Sequence, residues 1–316
     1  MNCSHCGAPN PEGSGVEFCG SCGARLAAGY APPVGVAEMP RGLRAMGLGD
    51  MFDEAIKLYR QNFRTFIAIA AVLQIPLVVF GLLQLAILGP ASLSDILVTG
   101  RIQAQTGLTG FWLISNGVLQ ILNLLAFLVI QAALASAISE RYMGRQVNWR
   151  NAYQVAWRCF WRVLWSTFLA TVAMILLSVT VIGIPFAILF GIRWTLITQT
   201  IVLEGQGVRS SLSRSSKLVK GTWWRVLGVL MVAGIAQYMV AGIPSGIIGG
   251  ILGVMGAMAF PGLLLVFTIV AGAIGSGIQI LATPLLPTIV TLLYYDLRIR
   301  KEGYDLEVMA GQTTGT

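Results

Sequence analysis

Four cysteines open the chain in a C-x2-C-x12-C-x2-C frame: Cys3, Cys6, Cys19 and Cys22. Each pair closes on a glycine, Cys6-Gly7 and Cys22-Gly23, and glycine lets backbone N–H groups turn toward the thiolates. Four thiolates at this spacing suit one tetrahedral Zn2+ per chain. Two disulfides are the alternative that a reducing compartment disfavours, and for a rubredoxin-like iron site the gap is short and aromatics are scarce. His5, the lone histidine, lies inside the first knuckle, where it would crowd the flanking ligands. A piece as short as residues 1–26 cannot bury enough surface to fold unaided, so the metal is expected to supply its stability.

A second set of polar residues lies where chemistry is costly. Arg193 interrupts an apolar run with no carboxylate in the same run, and Asn116, Gln120, Asn123 and Gln131 recur on one helical face. Inside a bilayer such groups line a path or a substrate site, or they hydrogen-bond neighbouring helices; the pattern alone leaves both open. Catalytic groups are scarce. None of the 13 acidic residues lies within an apolar run, and H-E-x-x-H, G-x-x-x-x-G-K-[ST] and G-x-S-x-G are absent. A non-enzymatic protein is expected, with Cys159 packing rather than reacting.

The elements that must position these residues are membrane spans. Of 316 residues 56% are hydrophobic and 11% charged, against roughly 25% charged in a soluble domain; mean hydropathy is +0.76. Apolar runs near 65–88, 111–139, 163–182, 184–203, 226–248 and 262–294 each match the ~20 residues that cross a bilayer. The third and fourth join through the uncharged hairpin "VIGIPF", whereas "GIPSGIIGGILGVMG" reads equally as loop, helix end or re-entrant segment. Residues 1–40 lack the basic and apolar regions of a signal peptide. The expected organisation is a zinc ribbon over 1–26, a flexible Ala/Gly/Pro linker over 27–47, an all-α six-helix membrane domain over 48–301 and a tail over 302–316.

Charge gives the orientation. Of the 21 Lys and Arg, five fall in 41–64, five in 140–162, five in 209–225 and three in 298–301, while the alternate connections hold only Arg101. By the positive-inside rule, both termini are expected in the cytoplasm of a cell whose inner membrane the chain crosses. An amphipathic stretch precedes each odd-numbered span: "LGDMFDEAIKLYRQNFR", "VNWRNAYQVAWRCFWR" and "VRSSLSRSSKLVKGTWWR". They predict three repeats of an interfacial helix plus a helical hairpin. In the first, Leu48, Phe52, Ile56, Tyr59 and Phe63 recur at helical spacing. Arg150, Arg158, Arg162, Arg214, Lys217 and Arg225 are candidate contacts for anionic headgroups, or ordinary topological anchors. Gly242, Gly246 and Gly250, with Gly249 and Gly253 beside them, permit close helix packing within the chain or between copies of a homo-oligomer.

Three segments carry a resemblance: "LGDMFDEAIKLYRQNFRTF", "IVLEGQGVRSSLSRSSKLVKGTWWRVLG" and "LLYYDLRIRKEGYDLE". Together they resemble the bacterial and archaeal family named for the membrane domain of glycerophosphoryl diester phosphodiesterases. The resemblance covers about residues 48–307 and implies a six-helix membrane domain without phosphodiesterase activity, since the catalytic barrel of that enzyme has no counterpart here. The expected partners are the lipid bilayer and a cytoplasmic protein docked by the ribbon. Nucleic acid is disfavoured, because Arg25 stands against Glu12 and Glu17. The alternative function is transport or lipid handling through Arg193 and the amide stripe.

Overall fold

The computed structural model describes residues 45–99 and 108–303. The chain divides into two compact units, Met1–Arg41 and Gly42–Thr316, and every described residue lies in the second. Cys3, Cys6, Cys19 and Cys22, with the linker and the tail beyond 303, fall outside the described residues.

All elements among the described residues are helical: α1 (Leu48–Gln61), α2 (Phe63–Thr99), α3 (Leu108–Tyr142), α4 (Trp149–Ser178), α5 (Gly183–Arg193), α6 (Ile197–Glu204), α7 (Val208–Val219), α8 (Trp223–Gln237), α9 (Ile243–Val254), α10 (Leu264–Ala282) and α11 (Leu285–Glu302). Six segments are long and apolar enough to cross a membrane: 63–87, 113–142, 149–178, 183–204, 223–259 and 264–302. Their outer faces keep large side chains uncovered, among them Ile87, Leu176 and Met258 at 75, 68 and 83% exposure. Such a surface in water would aggregate. In a bilayer it is the solvated face, and the chain is accordingly read as a multi-pass membrane protein.

Burial is concentrated at the end that carries the basic segments. There α11 is enclosed on every side, with Pro287 to Leu297 buried without interruption, as a helix apolar around its whole circumference requires. It packs against α1, α3, α7 and α8, and Leu292, Leu293 and Tyr294 meet Phe66, Ile130 and Ile138 in one core. Away from this end the helices pack as a series, α9 on α10, α10 on α2, α2 on α3, α3 on α4 and α4 on α5.

Four features differ from the sequence expectation, each for a local reason. The second amphipathic stretch is continuous with its span in the 30-residue α4, because no Gly or Pro separates them; α1 and α7 are separated from theirs at Asn62 and at Gly221-Thr222. The buried face of α1 is Met51, Ala55 and Leu58, while Leu48, Ile56 and Phe63 of the expected stripe turn outward; a helix between core and lipid is apolar on two sides. The expected fourth span is interrupted at Trp194–Leu196, between α5 and α6. The last is interrupted at Thr283-Pro284, where the ring lacks an N–H and crowds the preceding turn.

The ambiguous segment after α8 is a helix that runs from 223 to 259, not a loop or re-entrant stretch. Two π-helical turns, Tyr238–Gly242 and Met255–Ala259, flank α9. The first ends two residues before Pro244 and widens the helix where that residue cannot donate. Gly249 and Gly253 turn toward Gly272 and Gly275 of α10, around a cleft of about 540 Å³, while Gly246 and Gly250 face open space.

The α4–α5 hairpin matches its sequence expectation. Ser178 and Gly183 bound it, and the Thr180 hydroxyl accepts from the Gly183 N–H at 3.0 Å. A Cβ on Gly183 would lie 1.8 Å from the Leu177 carbonyl oxygen, an overlap that only movement of backbone can relieve. Gly183→Ala is therefore expected to lower the thermal unfolding midpoint of the detergent-purified chain, at a cost of ~1–3 kcal/mol. Gly234→Ala, where nothing lies within 4 Å, should leave the midpoint unchanged or raise it.

Candidate functional site

Two clusters of arginine and carboxylate close the basic end. In the first, α11 delivers Asp296 into the core with no accessible surface. Its carboxylate accepts from the Met46 backbone N–H at 2.8 Å, from Arg225 Nε at 3.1 Å and from Arg300 Nε at 3.0 Å. Both guanidiniums also donate to the Met46 carbonyl. Burying one carboxylate is expensive, and two guanidiniums plus a backbone donor offset that cost. The cluster ties the entry to α1, the start of α8 and the end of α11 at one point.

In the second, Glu204 at the end of α6 receives Arg214 Nε at 2.8 Å and Nη2 at 3.0 Å, and the Tyr294 hydroxyl at 2.7 Å. The same guanidinium bridges to Glu302, which Arg298 also reaches. Bonds to Glu302, then to Glu204, push the Arg214 pKa further above its ordinary value. Lys301 donates to the carbonyls of Lys217 and Lys220, at the end of α7. These carboxylates are acceptors saturated by fixed cations, an arrangement that holds helices together.

The clusters sort the candidate headgroup contacts. Arg214 and Arg225 are held by carboxylates, and Arg162 donates to the Gly205 carbonyl at 2.8 Å. Arg150, stacked 5.2 Å from the Trp149 ring, and Arg158 and Lys217 are exposed. Only these last three of the six have charge turned outward. Cys159 is buried, as a packing residue would be.

The intramembrane candidates separate as well. Arg193 ends α5 with its side chain exposed and its guanidinium 5.9 Å from the Phe190 ring. Its carbonyl accepts from the Ser215 hydroxyl at 2.6 Å, and Ser215 in turn accepts from the Leu196 N–H at 3.2 Å. One hydroxyl of the third basic stretch thus satisfies the backbone groups freed where the fourth span breaks. Arg193 belongs beside that basic helix, apart from the amides. Of the stripe, Gln120 and Asn123 line a cavity of about 360 Å³ together with Gln74 of α2, while Asn116 and Gln131 do not line it.

Gln74, Glu204, Tyr294 and Asp296 were absent from the sequence-derived candidates. Gln74 is one of two amides, with Gln84, in a long apolar run, and Asp296 is the one acid in "LLYYDLRIR"; in each case a polar residue amid apolar neighbours was the available signal.

Replacing Asp296 by Leu would leave Arg225, a quarter exposed, and the more exposed Arg300 without their shared counter-charge, and breaking a fully buried pair costs up to ~3–5 kcal/mol. The variant is expected to unfold at a much lower temperature than wild type. Arg150→Gln, Arg158→Gln and Lys217→Gln together should leave the midpoint intact while reducing copurified anionic lipid, each charge contributing up to ~1 kcal/mol. An equal loss of stability in the triple variant would contradict the division between bound and outward-facing cations. In comparisons with known proteins, no family model, no curated protein and no solved structure matches the chain.

Proposed function

We propose that the chain is a non-enzymatic protein of the cytoplasmic membrane, in which a zinc ribbon docks cytoplasmic partners and the membrane domain organises lipids or other membrane proteins. The observation that carries this reading is the construction of the basic end. Glu204, Asp296 and Glu302 are each held by arginine, so these three carboxylates are committed to joining helices into a firm platform. Arg150, Arg158 and Lys217 leave positive charge on its outside, where an anionic leaflet is attracted.

The finer architecture belongs to the same proposal. Three repeats of interfacial helix plus hairpin are supported by the order α1–α2–α3, α4–α5–α6 and α7–α8–α10, with the first two segments of α4 fused. The resemblance to the phosphodiesterase membrane-domain family is carried by segments that interlock here, since the Arg214 guanidinium joins Glu204 to Glu302. Cytoplasmic placement of both ends is supported by the Asp296–Met46 bond, which brings the start of α1 and the end of α11 to one side. A homo-oligomer would use the outward Gly246 and Gly250. The lipid-handling alternative is favoured by the amide-lined cavity rather than by Arg193.

Metal analysis of the purified chain should give one zinc per chain, lost in Cys19→Ser; iron at the site would refute the assignment. Copurification with the intact chain and with a chain lacking residues 1–26 tests docking: partners must disappear with the ribbon while membrane insertion persists. For topology, a cysteine introduced at Gln105 should react in intact cells with an impermeant reagent and one at Gln312 should not. Labelling at both would overturn the orientation.

A further inference from the structure

The cavity between α2 and α3 combines three amide side chains, Gln74, Gln120 and Asn123, with an apolar wall. The antiparallel register that bonds Gln84 Nε2 to Ser115 Oγ at 2.8 Å, and sets Gly81 against Leu119, brings Gln74 opposite Asn123 and Leu124 around the cavity of about 360 Å³. Gln74 lies ten residues beyond Arg64, or ~15 Å along the helix, which is half of a ~30 Å hydrocarbon layer. Amides at that depth lack water, and each unsatisfied group costs several kcal/mol.

Their hydrogen bonds are incomplete. Asn123, which lines the cavity, donates from Nδ2 to the Leu119 carbonyl of its own helix at 2.9 Å, and among the described residues no donor reaches its oxygen. Gln120 is exposed and makes no side-chain hydrogen bond among the described residues. Gln74 Nε2 donates to Thr283 Oγ1 at 3.2 Å, and Gln74 Oε1 lies 3.5 Å from the same hydroxyl, at the break between α10 and α11. The remaining wall is apolar: Leu77, Leu124, Ala126, Phe127 and Ile130.

That lining specifies an occupant. It offers amide donors and acceptors together but no cation, so a phosphate or carboxylate brought there would be desolvated without a counter-charge. A hydroxyl can donate to an amide oxygen while an ester carbonyl accepts from an amide N–H, and the apolar wall can accommodate an acyl chain. We propose that Gln74, Gln120 and Asn123 bind the hydroxyl and ester groups of an uncharged diacylglycerol-type lipid that enters laterally from the bilayer. The site is independent of ribbon docking. It adjoins the α10–α11 break, where Thr283 Oγ1 also donates to the Gln279 carbonyl and the Tyr59 hydroxyl donates to the Leu281 carbonyl.

The test uses the full-length chain in detergent, titrated with dioleoylglycerol or with dioleoyl phosphatidate, each thermal midpoint referred to the same protein without added lipid. Dioleoylglycerol should raise the wild-type midpoint saturably. Gln120→Leu with Asn123→Leu should abolish that rise or weaken half-saturation at least tenfold, whereas Arg193→Leu should retain it. A photoactivatable diacylglycerol applied to wild type should label the α2 and α3 segments around 74–77 and 120–130, which keeps the proposal testable if the double variant fails to insert. Equal rises in wild type and double variant, no rise in wild type, a stronger rise with phosphatidate, or labelling confined to other helices would each overturn the assignment. Loss of ribbon partners would change none of these readouts.

Discussion

A single buried carboxylate organises the basic end of this protein. Asp296 has no accessible surface, so its burial is tolerable only where Arg225, Arg300 and the Met46 N–H converge on it. Meeting that condition fixes three remote pieces of chain at once. The segment entering α1 must approach α11, α8 must begin beside it, and the last turns of α11 must present Arg300 on the same face. Tyr294 and Tyr295, its neighbours in sequence, extend the constraint, one to Glu204 and the other to Ser139 at 2.6 Å. Five helices are thereby positioned by three consecutive residues of α11. Hydrophobic contact alone would not give this specificity, because apolar helices slide against one another at little cost in surroundings that are themselves apolar.

The second constraint is that every helix break within apolar surroundings must satisfy the backbone groups it frees. Different residues meet it at different breaks. Ser215 bridges Arg193 and Leu196, so the α5–α6 break depends on a helix from the next basic stretch. Tyr59 reaches the Leu281 carbonyl at 2.7 Å, so the α10–α11 break depends on α1; burial raises the Tyr59 pKa and keeps that phenol a donor. At Pro244 the helix widens into a π turn, and the hydroxyl of the adjacent Ser245, on the same helix, donates to the carbonyls of Ala241 and Gly242. In two of these cases an amphipathic helix both edges the membrane domain and completes a broken span.

These dependencies explain which features were legible in the sequence. Hydropathy and length identify six apolar spans because each is a continuous local property, and "VIGIPF" identifies its hairpin because the glycine requirement is local too. The break at Trp194–Leu196 was not legible, since its stabilising hydroxyl is 19 residues away at Ser215. The apolar face of α1 was misplaced because helical spacing finds an apolar stripe but does not say whether it meets protein or lipid. Arg193 and the amides appeared equivalent as polar residues inside spans, and only tertiary packing separates an arginine beside a basic helix from amides that share a cavity. Gln74 was overlooked because its significance lies in facing Gln120 and Asn123 across two antiparallel helices.

The two ends of the membrane unit consequently differ in the kind of polar group they contain. At the basic end, charges meet countercharges and the core is closed. Farther along, between α2 and α3, the polar groups are neutral amides and the packing leaves a cavity. The two zones meet in α11, whose N-terminal end adjoins Thr283 and its bond to Gln74, and whose C-terminal end holds Asp296 and Glu302. Its buried length between them contains Thr288 and Thr291 but no charge. A change at the break therefore has no separate ion pair along this length to absorb it, and rigid movement of α11 would be felt directly by Arg225, Arg300 and Arg214. The same enclosure by α1, α3, α7 and α8 resists such movement. Accommodation of a ligand between α2 and α3 is thus least costly through the exposed side chains of Gln120 and Asn123, with the α11 pillar held in place.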